Sequence, residues 1–253
     1  MLKKYDGFTQ SQQLLVIGVI FLILFALIAA PLYNSCKKKT IETKLHAIYS
    51  ILEQATHRYF VETGELITNY DKNITAEEFA KTYVLPYIII EKTCEGASQS
   101  GCWESPVYMD LSKKSISNPS EFSILLESGA VIGFNKSKDG FITILLDING
   151  NSGENKLGRD IFVLYVYNNN LQPKTCAPEE YKKYYIANGL HLGGYDKCGI
   201  PHDVLPYEQL FDKDVEDSCN EKAMKQENGL GSGTACAALI KRSQWRIDKI
   251  YPW

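Results

Sequence analysis

Three sets of residues in this chain have types and spacings suited to chemistry. The first is the run Asp147-Ile148-Asn149-Gly150-Asn151-Ser152-Gly153-Glu154-Asn155-Lys156-Leu157-Gly158-Arg159-Asp160. Side-chain oxygens at alternate positions on a glycine-rich turn are what a calcium ion needs. Asp147, Asn149 and Asn151 reproduce the opening spacing of an EF-hand. The sixth position is Ser152 instead of glycine, and the twelfth is Gly158 instead of glutamate, so the loop is not an EF-hand. Asp147, Asn149, Asn151 and Asp160 remain as a looser candidate set, and calcium is the only cofactor they suggest. The competing reading is that Asn, Asp and Gly simply form turns, with Asp160 clipping the loop backbone.

The second set is the cysteines, seven in all. Six of them, Cys94, Cys102, Cys176, Cys198, Cys219 and Cys236, follow a long uncharged segment, and no two form a zinc-like C-x-x-C pair. An even number in this arrangement suits disulfides in an oxidising compartment. Sequential pairing (Cys94 with Cys102, Cys176 with Cys198, Cys219 with Cys236) is expected because each loop is short and local. Cys36 has no obvious partner.

The third set is the four histidines. His46 and His57 fall on a helical stretch and suit its surface. His191 and His202 lie near Asp196 and Asp203, so a His-Asp pair is conceivable. No G-x-S-x-G, P-loop, G-x-G-x-x-G or H-E-x-x-H motif occurs, and the expectation is a protein that is not an enzyme. The acids Asp212, Asp214, Glu216 and Asp217 read as a solvated face or helix start. With 27 basic and 30 acidic side chains the net charge is -3, which excludes a strongly basic nucleic-acid binder.

The elements that position these residues follow from periodicity. From Lys37 to Phe60 there is no Gly or Pro, and Ile41, Leu45, Ile48, Leu52, Ala55 and Tyr59 form one helical stripe. Glu42, Lys44, Glu53, Gln54 and Arg58 fall off it. Gly64 is a natural stop. The simplest reading is one helix from about Phe8 to Glu62, with Pro31 as a kink point and the stripe packed within the subunit. Thr75 to Glu78 reads as a capping box opening a helix through about Tyr83. Phe122–Glu127, Ala130–Asn135, Phe141–Asp147 and Ile161–Tyr167 read as four strands of an antiparallel meander. Residues 169–253 are turn-rich and need staples. A short helix is expected around Thr234 to Arg242, and the terminal aromatics Trp245, Tyr251 and Trp253 as core or strand.

Between Asp6 and Lys37 there is no Asp, Glu, Lys or Arg. Leu14 to Tyr33 is almost wholly apolar and as a helix spans about 30 Å, the thickness of a bilayer core. A single-pass membrane protein is expected. Lys37, Lys38 and Lys39 outnumber Lys3 and Lys4, which favours the opposite orientation, but the cysteines argue for a head outside the cytoplasm. Three processing routes are open. One is a signal-peptide cut near Ala29, Ala30 or Ser35. Another is lipidation at Cys36. The third uses the short basic leader Lys3-Lys4-Tyr5-Asp6-Gly7 followed by Phe8-Thr9 and the apolar helix.

That last pattern resembles the prepilin leader of type IV pilins and type II secretion pseudopilins. The resemblance implies that prepilin peptidase cuts after Gly7 and that Phe8 becomes the methylated N-terminus. The family usually carries glutamate at the fifth mature position, where it pairs with a neighbouring subunit's N-terminal amine; here that position is Gln12. A minor subunit fits this departure. The implied partners are the peptidase, other pilin or pseudopilin subunits and membrane lipid. The implied location is the bacterial inner membrane, with the head in the periplasm or at the cell surface. Several pseudopilins hold calcium in a loop of the β-region, which bears on residues 147–160. The expected fold is α+β. It has a leader (1–7), a transmembrane helix (8–36) and a head (37–253) built from a helix continuation (37–62), an antiparallel sheet (about 120–168) and a disulfide-stapled irregular region (169–253). The alternative is a non-polymerising, single-pass membrane-anchored binding domain.

Overall fold

The computed structural model describes residues 10–95, 101–103, 107–137, 140–150, 155–168, 184, 186–226 and 229–253, the side chains of 10–13 and 95 excepted. The chain divides into two compact units, 1–40 and 41–253. The fold is α+β.

Helix α1 runs Gln10–Thr63 with Pro31 inside it. It stops where expected: Gly64 takes φ +74° and donates its N–H to the Phe60 carbonyl at 2.8 Å, a left-handed cap that glycine adopts without steric cost. In the first unit, the large apolar side chains from Leu14 to Tyr33 are exposed. Among the described residues this is the one helix long and apolar enough to cross a membrane.

In the second unit the stripe Ile41, Leu45, Ile48, Leu52, Ala55 and Tyr59 is buried. It packs within the chain, in one cluster with Ile124, Ile132, Ile144 and Leu164. Glu42, expected off the stripe, is also buried; its Oε1 accepts the Ile247 N–H at 2.7 Å, which replaces the lost water. Helix α2, Ala76–Tyr83, has the capping box read from the sequence, with Thr75 and Glu78 satisfying each other's backbone N–H groups.

Among the described residues the sheet has six antiparallel strands. In chain order the strands are β1 Lys92–Glu95, β2 Val107–Met109, β3 Ser115–Ser117, β4 Phe122–Leu125, β5 Val131–Lys136, β6 Ile142–Asp147, β7 Ile161–Tyr167 and β8 Gly189–Leu192. The sheet order is β1-β4-β5-β6-β7-β8, while β2 and β3 form a separate ribbon. The four central strands are the meander seen in the sequence. The edge strands β1 and β8 extend it and were not legible, being four residues each with a weak pattern.

Both faces of the centre are covered: every residue of β6 and of β7 is buried. On the first face, Ile142, Ile144 and Leu146 meet Phe162, Leu164 and Val166, under the stripe of α1, α2 and a helix α3 at Cys236–Arg242. On the second face, Val131, Leu145 and Val163 lie under Tyr108 and Ile116 of the ribbon and Leu157. A sheet packed on one side only would leave these residues in water. Among the terminal aromatics, Tyr251 is buried and Trp245 stacks on His46 with centroids 4.3 Å apart. Trp253 lies under the Arg159 guanidinium, 5.5 Å from the ring centre.

Candidate functional site

The loop after β6 is a structural clasp. Asp147 Oδ1 accepts the N–H groups of Asn149 at 3.1 Å and Gly150 at 2.8 Å, an Asx turn closing on itself. Asp160 is buried, its side chain accepts the Lys156 N–H, and the Asn149 side chain bonds it too. Burial pushes its carboxyl up, against these hydrogen bonds, which favour the charged form. Three other elements converge here. Lys44 of α1 donates to the Ile148 carbonyl at 3.1 Å, the Tyr251 hydroxyl donates to the Gly158 carbonyl, and Gly158 lies against the sulfur of Cys236. Asp147 and Asp160 therefore both hold backbone. Asn151 lies outside the described residues. Among the described residues no group of three or more His, Cys, Asp or Glu side chains converges on a point.

The cysteines staple local units. Cys94 is bonded to Cys102 and Cys219 to Cys236, both as sequential pairing expects. Cys198 is disulfide-bonded as well, and Cys176 lies outside the described residues. Cys36 is free and exposed.

His191 and His202 are taken up by structure. His191 Nδ1 donates to Asp203 Oδ1 at 2.7 Å and its Nε2 faces the Ala187 carbonyl at 2.8 Å. The second nitrogen therefore meets a carbonyl and, among the described residues, not a nucleophile. Asp203 Oδ2 accepts the Leu192 N–H at 3.2 Å and sits 3.5 Å from Lys241 Nζ, which also donates to the Tyr49 hydroxyl. Burial alone would raise the Asp203 carboxyl, but His191 and Lys241 hold it below its ordinary value. The set ties β8, α3 and α1 together. His202 is fully buried, donates from Nδ1 to the Gly193 carbonyl, and burial pushes it down to about 4, so it is neutral.

One acidic residue departs from expectation. Asp212, Asp214 and Glu216 are exposed, but Asp217 is 1% exposed. Its Oδ1 accepts the N–H groups of Gln226 at 3.0 Å and Gly231 at 3.1 Å. Its own N–H donates to the Met224 carbonyl, and its carbonyl accepts from Ala235. Burial pushes its carboxyl up to about 6. It borders a cleft of about 350 Å³ on the second face of the sheet, together with Thr143, Val163, Tyr195 and Thr234. Sequence reasoning missed this cleft. The available signal was positional: Asp217 and Thr234 each stand two residues before a bridged cysteine, Cys219 and Cys236.

Gly7 and Phe8 lie outside the described residues, and Gln12 lies in α1 at a position whose side chain is not described. No protein-family model, no curated protein and no solved structure matches this chain.

Proposed function

We propose that this protein is a pilin-like structural subunit, of the minor kind, in a type IV pilus or type II secretion pseudopilus. The observation that carries the reading is the single helix Gln10–Thr63. Its first stretch is apolar on every side, and from Ile41 its stripe is buried against an antiparallel meander. A helix with no polar face needs lipid or other apolar helices around it, and a subunit that assembles through such helices uses both. The leader ending at Gly7, with Phe8 next, supplies a processing point directly before this helix. The bridges Cys94–Cys102 and Cys219–Cys236 support a head facing an oxidising compartment.

In this reading prepilin peptidase removes the segment through Gly7, Phe8 becomes the methylated N-terminus, and the helix packs against those of other subunits. Gln12 can hydrogen-bond but cannot neutralise an ammonium in lipid, which suits a subunit used in low copy. Calcium at Asp147, Asn149, Asn151 and Asp160 is not needed by it.

The deciding experiment is intact-mass and N-terminal peptide analysis of the protein from membranes, with and without co-expressed prepilin peptidase. Loss of residues 1–7 with a methyl group on Phe8 is the expected result. A retained N-terminus leaves the second reading, a membrane-anchored binding domain that does not polymerise. A start at Ala30, Ser35 or Cys36 overturns the pilin-like reading.

A further inference from the structure

We infer that the cleft on the second face of the sheet binds a neutral saccharide, with Asp217 as its fixed hydrogen-bond acceptor. The inference is independent of the pilin-like reading, because it concerns only the head.

Chain geometry builds the cleft. Thr143 of β6 and Val163 of β7 project from the second face and form its floor. Thr143 is a buried hydroxyl residue in a strand whose neighbours are Ile142 and Ile144, a choice that packing alone does not call for. Its volume of about 350 Å³ falls in the range of small-molecule sites and accommodates a mono- or disaccharide.

The central feature is the unequal use of the two carboxylate oxygens of Asp217. Oδ1 carries two backbone N–H bonds. Among the described residues Oδ2 has no hydrogen bond, and it lies beside Gly229, where an added methyl would stand 1.7 Å from it. Both residues border the cleft. A carboxylate oxygen without a protein donor at a cleft takes its hydrogen bond from water, and a ligand hydroxyl replaces that water.

Charge then selects the ligand. The lining carries both signs, Asp217 against Lys136 and Lys225, so neither a bare anion nor a bare cation meets a surface of its opposite charge alone. A neutral molecule with several hydroxyls remains, donating to Asp217 Oδ2 and accepting from the lysines. Tyr195, Val163 and Leu230 offer apolar surface to the C–H face of a sugar ring.

The acceptor is held rigidly. Gly233 donates to the Ser218 carbonyl at 2.8 Å and Ala235 to that of Asp217 at 3.1 Å, so the two chain segments run paired. The Cys219–Cys236 bridge locks them just beyond. Preorganisation of this kind lowers the entropic cost of binding.

The test uses full-length protein in micelles of a non-glycosidic detergent. Saturation-transfer NMR and titration are run with N-acetylglucosamine, maltose and cellobiose, with glucose 6-phosphate and glucosamine as charged controls. Binding of at least one neutral sugar is expected, with weaker binding of both controls. Asp217→Asn, which keeps the Oδ1 acceptor but turns the free oxygen into a donor, weakens that binding about tenfold or more. Thr143→Val, which keeps the shape of the floor, weakens it as well, and circular dichroism confirms the fold of each variant. Should Asp217→Asn fail to fold, Thr143→Val decides. The inference is overturned if none of the three neutral sugars binds at millimolar concentration. It is also overturned if binding survives the folded variants unchanged, or if a charged control binds as tightly.

Discussion

At the scale of single residues, Asp217 links stability to pH. Its folded pKa of about 6 lies above the ordinary aspartate value, so the folded state holds the proton more tightly than the unfolded chain. The sign is opposite to that of a salt-bridged aspartate: stability is greatest below pH 4 and declines as pH rises through about 6. The loss across that window is about 3 kcal/mol from this residue. Asp217→Asn removes the ionisation and keeps the two backbone bonds. Urea unfolding of the variant is therefore less dependent on pH between 4.5 and 7.5, and at the upper end the variant is the more stable protein. Unfolding curves that fall equally for both proteins across this window contradict the assignment. Asp203 acts in the other direction. Its depressed pKa contributes stability above about pH 4 that is lost as pH falls through its folded value, so the two groups together favour a mildly acidic optimum.

Gly158 makes a different demand on its position. Its φ is +78° and a Cβ there would sit 2.7 Å from Cys236 Sγ. Gly158→Ala combines backbone strain with a clash against a disulfide that has no room to yield, and costs about 2 kcal/mol or more. Thermal unfolding measures it; a variant within the error of the parent shows that the clasp is loose.

At the scale of elements, α1 joins the core through a few side chains of one stripe. Leu45 is 0% exposed and Ile51, on the same helix, is 40% exposed. Leu45→Ala is expected to cost about 3 kcal/mol and Ile51→Ala less than about 0.5. Equal effects, read by chemical denaturation, would mean that the stripe does not carry the packing. The capping box of α2 is a smaller test of the same kind: Thr75→Ala leaves the Glu78 N–H to water and costs about 1 kcal/mol.

These elements were legible because their signals are local. Helical spacing located the stripe, Thr75 and Glu78 located the cap, and Gly129 and Gly140 marked the turns on either side of β5. The strands β1 and β8 were not legible, because a four-residue strand at a sheet edge is defined by its partner more than by its own pattern.

At the scale of the whole molecule, the bridges decide whether the C-terminal region holds its shape. The Cys219–Cys236 loop spans 17 residues. Replacing both cysteines by serine costs about 3 kcal/mol by loop entropy alone and frees the segments carrying Asp217 and Thr234. Limited proteolysis of the variant should cut first between residues 217 and 236; resistance equal to the parent would mean that packing holds the segments without the bridge.

What the sequence determined by itself was the material governed by neighbours along the chain: a long apolar helix, its amphipathic continuation and the meander; six cysteines allow fifteen pairings, and the bridges Cys94–Cys102 and Cys219–Cys236 were decided by the structure. Burial of a polar side chain is governed by residues far away in the chain. Glu42 looked solvated until Ile247, 205 residues on, presented an unpaired N–H to it. Asp217 looked like one more surface acid until Gln226 and Gly231 folded over it, and Thr143 like an ordinary strand residue until a second layer covered the sheet. Only the tertiary structure decided these, because it alone says where water is excluded, and the exclusion of water makes a carboxylate or a hydroxyl into a site.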